Sequence, residues 1–95
     1  MATYRIVAWK DIPAMVEASD AADAVSVPLS DKFQALIDSV AAQQGLHAED
    51  DYLAHWSRSE PQDRPGSARD VGAAVAAELE ARFPEFIARA FGGPP

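Results

Sequence analysis

The hydrophobic pattern of the chain changes its period once, near residue 29, and this change constrains the fold more than any other feature. Before that point apolar residues tend to alternate with polar ones, as they do along half-buried strands. From Ser30 onward they recur at every third or fourth position, which is typical of one-sided helices. Strands followed by helices predict an α+β fold, with about three helices packed on one face of a small antiparallel sheet.

Three short strands are predicted to form an antiparallel meander within residues 1–29. They cover about 3–10, 14–19 and 24–29. Because proline cannot donate to a strand ladder, Pro13 is expected to end the first strand and Pro28 the third. The aspartates of segment 20–23 favour a turn between the second and third strands.

Two helices are predicted over 30–60. The first begins at Ser30 as the N-cap and ends at Gly45, which supplies a left-handed stop. Its apolar stripe consists of Phe33, Leu36, Ile37, Val40 and Ala41. The second helix is expected over about 48–57. Its acidic start suits the helix dipole, and its apolar side consists of Tyr52, Leu53 and Trp56.

The last third of the chain predicts a linker and a kinked helix, which complete a single domain over 1–95. Residues 61–66 are polar and proline-containing, as linkers are. The helix is expected over 67–91, with Ser67 as its cap. Its stripe consists of Val71, Val75, Leu79 and Phe83. Pro84 predicts a kink at 83–84, after which Ile87, Ala90 and Phe91 continue the apolar phase.

Composition excludes several classes of function. The chain carries 15 acidic and 8 basic residues, a net charge of −7, so we expect neither a nucleic-acid nor a membrane partner. It has no cysteine, which removes disulfides and thiol nucleophiles. The start of the chain lacks the pattern of a signal peptide, and no apolar run is long enough for a spanning helix. A cytoplasmic location is therefore expected.

No complete catalytic set can be assembled from the motifs, and no catalytic, cofactor or metal residue is assigned. The sequence has neither a Gly-x-Ser-x-Gly elbow nor a glycine-rich phosphate loop. His47 and His55 stand eight residues apart, about 12 Å along a helix, which is too far to share one metal ion. The acidic segment between them keeps an alternative open, a small metal-dependent or ligand-binding domain that uses residues 47–55.

Large aromatic side chains are the candidates for an interaction surface. They are Trp9, Trp56, Phe83, Phe86 and Phe91. Such residues either pack in a core or anchor an interface. Because Phe86 lies off the main stripe, the terminal helix is expected to show apolar surface on two sides. A protein partner or a second copy of the chain would cover that surface.

Part of the chain resembles a known family. The strings that carry the likeness are Tyr4-Arg-Ile-Val-Ala-Trp-Lys-Asp-Ile-Pro-Ala14, Val27-Pro-Leu-Ser30, Phe33, Ala35-Leu-Ile-Asp38, Gly45-Leu46, Asp51-Tyr-Leu53 and Trp56. Over about 4–60 they resemble a small bacterial family labelled "virulence factor". The resemblance implies an accessory role beside one-carbon and folate or corrinoid methyl-transfer enzymes, and it supplies no catalytic residues. Together these observations predict a non-enzymatic accessory or protein-interaction domain.

Overall fold

The computed structural model describes residues 1–45 and 52–92, and within these ranges five strands form one antiparallel sheet. The strands are β1 (Ala2–Trp9), β2 (Ile12–Ser19), β3 (Ala24–Pro28), β4 (Trp56–Arg58) and β5 (Gln62–Arg64). β2 lies between β3 and β1. Both β4 and β5 pair with the other edge of β1, β4 along its C-terminal half and β5 along its N-terminal half.

Three α-helices accompany the sheet in the described part of the chain, which confirms the α+β class. They are α1 (Asp31–Gln43), α2 (Ala68–Ala81) and α3 (Phe83–Ile87), and a π-helical segment (Ala88–Gly92) follows α3. α2 packs against β1, β2 and β3, and α1 packs against β2. One core therefore lies between the sheet and the helices.

The predicted apolar stripe of α1 is buried at all of its five positions, which are Phe33, Leu36, Ile37, Val40 and Ala41. Gly45 follows the helix with φ +71°, so the predicted left-handed stop is confirmed. The stripe of α2 is likewise buried at Val71, Val75 and Leu79. Where the hydrophobic period was long and regular, it identified the core correctly.

The sheet has five strands, so the prediction of three was wrong in number. Residues 56 and 57, expected to end a helix, begin β4, and residues 62–64 of the expected linker form β5. Of the rest of that helix prediction, Tyr52 and Leu53 are helical and residues 54–55 form a turn, whereas 48–51 lie outside the described residues. Ile6 bridges the two short strands: its N–H donates to Ser59 Oγ at 2.8 Å, and its carbonyl accepts from the Ser59 N–H at 2.9 Å.

The prediction that Pro13 ends the first strand was wrong. β1 already ends at Trp9, and Pro13 lies within β2. The turn consists of Lys10 and Asp11, between the paired residues Trp9 and Ile12. Pairing then skips one residue of β2, because Val7 faces Met15 while Ala8 faces Pro13. Proline is tolerated beside such a bulge, since the regular ladder is already interrupted there.

Two carboxylates tie separate elements together through backbone N–H groups. Asp20 accepts from the N–H groups of Ala22 and Asp23 in its own turn, and from Ala68 at the start of α2. Glu80 of α2 accepts from both the N–H and the hydroxyl of Ser30. Ser30 stands at the predicted N-cap position of α1. Its hydroxyl is bonded to Glu80, however, and its side chain caps no N–H of that helix.

Acid should weaken the fold through Asp20. The hydrogen bond from Ala68, followed by those from Ala22 and Asp23, holds the pKa of this carboxyl below its ordinary value of 3.8. A carboxyl whose folded pKa is depressed stabilises the fold fully above its unfolded pKa, and loses that contribution as the pH falls through the folded pKa. Asp20→Asn should therefore reduce stability at pH 7, and the difference from wild type should shrink below about pH 4.

Urea unfolding of both proteins from pH 7 to pH 3 measures this difference. Asp23→Asn in the same turn is the matched control, because Asp23 takes part in the turn through its backbone. A constant difference between Asp20→Asn and wild type across the whole pH range would contradict the prediction.

Gly72 allows α2 to approach β3 closely. A Cβ at this position would lie 3.0 Å from Val27 Cγ2 and 3.5 Å from Val25 Cγ2. Gly72→Val should therefore lower the free energy of unfolding by about 1–3 kcal/mol through overpacking. Ala73→Val, exposed on the same helix, should cost less than about 1 kcal/mol. Chemical denaturation compares the two, and equal losses would contradict this account.

Candidate interaction surfaces of the hairpin tip and C-terminal helices

The long C-terminal helix is broken where Pro84 predicted a kink. α2 ends at Ala81 and α3 begins at Phe83, so Arg82 lies between them. Pro84 occupies the first turn of α3, where a missing N–H leaves no helical hydrogen bond unmade. The Arg82 N–H instead donates to the Leu79 carbonyl at 3.1 Å, which closes α2.

This break changes which side chains the terminal helix buries. Phe86, expected to lie off the stripe, is 5 % exposed, whereas Ile87 and Phe91, expected to continue it, are 39 % and 47 % exposed. The reason is that the helix is interrupted at Arg82, so the spacing of apolar residues along α2 does not predict which face of α3 is buried. Ile87 and Phe91 stand four residues apart and form an exposed pair, the C-terminal apolar patch.

Three phenylalanines fix the orientation of α3. The Phe33 ring of α1 lies edge-on to Phe83 with 4.8 Å between centroids, and to Phe86 with 6.0 Å. Edge-to-face pairs of this kind add about 0.5–1.5 kcal/mol to the burial of the rings. The inner face of α3 is thus bound to the core, and its outer face is presented on a fixed helix.

Trp9 is a core residue and leaves no side-chain surface for a partner. It is 0 % exposed, and its indole Nε1–H donates to the Tyr52 carbonyl oxygen at 2.6 Å. The Tyr52 and His55 rings each lie 5.5 Å from it. Trp56 is half-buried beside Tyr52. Among the five aromatic candidates, Trp9 and Phe86 are buried, Trp56 and Phe83 are half-buried, and Phe91 is exposed.

The histidine segment is described only in part. His55 packs edge-on against Trp9, whereas His47 and the acidic residues 49–51 lie outside the described residues. In ranges 1–45 and 52–92, no three His, Cys, Asp or Glu side chains come together as ligands for a metal ion. None of the helices described here is long and apolar enough to cross a membrane.

A groove runs between the β1–β2 turn and the C-terminal helices. It consists of two cavities of about 330 and 120 Å³ that share Lys10, Asp11, Phe86 and Arg89. Ile6, Ala8 and Leu79 line the larger cavity with apolar surface. We call this cleft the hairpin-tip groove. It lies on the Phe86 side of the terminal helix.

Two arginines of the hairpin-tip groove are placed over the Phe86 ring. The guanidinium carbons of Arg82 and Arg89 lie 5.2 and 6.0 Å from its centroid, within the range of cation–π attraction. Arg82 Nε also donates to Glu85 Oε2 at 2.7 Å, and this hydrogen bond holds the pKa of the exposed Glu85 carboxyl below its ordinary value. The aromatic ring thus fixes where both charges stand.

Lys10 holds an uncommon backbone conformation at the tip of the β1–β2 hairpin. Its φ is +54°, in the left-handed region, which costs a non-glycine residue roughly 1–2 kcal/mol. Its N–H donates to the His55 carbonyl at 2.9 Å, and its ammonium group donates to Gln44 and lies 5.5 Å from the Trp9 centroid. These contacts hold the lysine in place at the edge of the groove.

Sequence reasoning did not indicate that the cations Lys10, Arg82 and Arg89 form a group. A signal existed for Lys10, because turn positions with positive φ normally carry glycine, asparagine or aspartate. No local signal connected it with Arg82 and Arg89, which lie more than seventy residues further along the chain.

The fold and these surfaces define a small α+β domain with an exposed apolar patch and a cationic groove. A family model described as "Virulence factor" matches residues 7–87, and the chain therefore belongs to that family. The match confirms the resemblance carried by the N-terminal motifs, and it extends through α2 and α3. Neither a curated protein nor a solved structure matches this chain.

The structural role of Trp9 can be tested by shortening its side chain. Trp9→Phe should lower the free energy of unfolding by about 1–3 kcal/mol, because the Tyr52 carbonyl loses its donor and the smaller ring leaves a void. The half-buried Trp56→Phe should cost less than about 1 kcal/mol. Thermal and chemical unfolding measure both, and a Trp9→Phe protein as stable as wild type would contradict the assignment.

Proposed function

We propose that this member of the virulence-factor family is a non-enzymatic interaction domain, which binds a protein partner or a second copy of itself through the C-terminal apolar patch. One observation carries the proposal. Ile87 at the end of α3 and Phe91 in the π-helical segment that follows are both exposed, whereas the neighbouring Phe86 is packed in the core. Large apolar side chains exposed near one another in the chain are typical of contact sites.

The energetics of the patch favour binding. Covering a large apolar side chain completely contributes about 1.5–3 kcal/mol, and aromatic anchors are common among the residues that dominate interfaces. Phe33 already holds α3 in position through Phe83 and Phe86. A partner would therefore meet an ordered helix and would pay little entropy to organise it.

The family resemblance supports a more specific expectation about the partner. It implies an accessory role beside one-carbon and folate or corrinoid methyl-transfer enzymes. Such an enzyme is therefore the first partner to test, alongside self-association.

Replacing both apolar side chains of the patch should weaken association at least tenfold, because the contact loses more than about 1.4 kcal/mol of burial. The variant is Ile87→Ser with Phe91→Ser. Light scattering after size-exclusion chromatography measures self-association, and affinity capture from the native host followed by mass spectrometry measures binding of a partner. Urea unfolding shows whether the variant retains its fold.

Leu53→Ser is the matched control, because Leu53 is 53 % exposed and lies outside the patch. It should leave association unchanged. A wild-type chain that stays monomeric and captures no protein would contradict the proposal. So would an association that the double variant retains at full strength.

A further inference from the structure

We infer that the hairpin-tip groove is a binding site for a small organic acid, one anionic group carried on an apolar ring or chain. This inference is independent of the proposed function. It concerns the Phe86 side of the terminal helix, whereas the C-terminal apolar patch lies on the outer side.

The charge of the groove is opposite to that of the protein. The chain as a whole carries a net charge of −7, yet three of its eight basic residues line this one cleft, and among the described residues Asp11 is the single lining carboxylate. Arg82 is paired with Glu85, whereas neither Lys10 nor Arg89 forms an ion pair with a carboxylate in ranges 1–45 and 52–92. A local positive site on an acidic surface concentrates anions there.

The size of the groove and its apolar floor indicate what the uncharged part of the ligand is. Ile6, Ala8 and Leu79 line the larger cavity, and Phe86 is shared by both cavities. The larger cavity, of about 330 Å³, reaches the size at which ligand pockets begin, near 300 Å³, and the smaller one of about 120 Å³ adjoins it through the shared residues. An inorganic anion would leave the apolar floor uncovered, and a neutral hydrocarbon would provide no anionic partner for Lys10 and Arg89.

The cations are arranged before any ligand arrives. The Phe86 ring supports both guanidinium groups, and planar guanidinium forks match the oxygens of a carboxylate. Lys10 occupies a left-handed turn position that glycine or asparagine would hold with less strain. Strain at a binding surface is retained where the side chain has a use, and an ammonium beside the cleft supplies one.

Fluorescence titration with anilinonaphthalene sulfonate tests the inference, because this dye joins one anionic group to an apolar aromatic body. The uncharged phenylnaphthylamine tests how much the anionic group of the dye contributes to binding. Inorganic phosphate as a competitor tests how much the apolar aromatic rings contribute. We expect the sulfonate dye to bind at least tenfold more tightly than the uncharged dye. Inorganic phosphate should compete weakly, and binding should weaken as salt is added.

Two variants locate the site. Lys10→Asn keeps a residue that tolerates positive φ while it removes the ammonium, and Arg89→Gln removes one guanidinium. Each should weaken binding of the sulfonate dye roughly three- to tenfold, as expected for one lost ionic hydrogen bond at a half-open site. Arg69→Gln, exposed on α2, is the matched control and should leave binding unchanged.

Equal affinity for the two dyes would overturn the inference. So would unchanged binding in both Lys10→Asn and Arg89→Gln, provided that urea unfolding shows both variants to be folded. Loss of dye binding in the Ile87→Ser, Phe91→Ser variant alone would place the dye on the C-terminal apolar patch and would also overturn it.

Discussion

The packing of Phe83 and Phe86 around the Phe33 ring is the constraint on which the surfaces of this molecule depend. These contacts bind the short helix α3 to α1 directly after the chain breaks at Arg82. They also decide its rotation: Phe86 is buried, whereas Ile87 and, in the π-helical segment that follows, Phe91 are exposed. Without this anchor, the groove would lose one of its walls and the patch would lose its support.

The regular parts of the fold were predictable because their information is local. The stripe of α1 and the cap at Ser67, whose side chain accepts from the Asp70 N–H, follow from short-range periodicity and capping. β4 and β5 were missed because each has three residues and little apolar content, so neither shows a strand pattern. What forms them is long-range pairing with β1, together with the Ser59 bridge to Ile6.

The surfaces could be predicted only in part, for the same reason. The kink at Pro84 followed from proline chemistry, but the rotation of the helix beyond it depends on which ring packs against Phe33. The groove joins a hairpin tip to a helix more than seventy residues away, and hydrophobic periodicity contains no information at that range. Lys10 carries a local signal, a lysine in a turn that favours glycine, but its charge gains a role only through its proximity to Arg82 and Arg89 in the fold.

Among the described residues, the ion pairs that join different elements of the fold do not involve Lys10 or Arg89 of the groove. Pairs that join different elements use other cations: Arg58 binds Glu17 across the sheet, Arg64 binds Glu78 of α2, and Lys32 lies 3.6 Å from Glu80. Lys10 and Arg89 make no such pair with the described carboxylates. Their charges can therefore be removed while the ionic contacts between elements stay intact, and a loss of anion binding can be distinguished from a loss of structure.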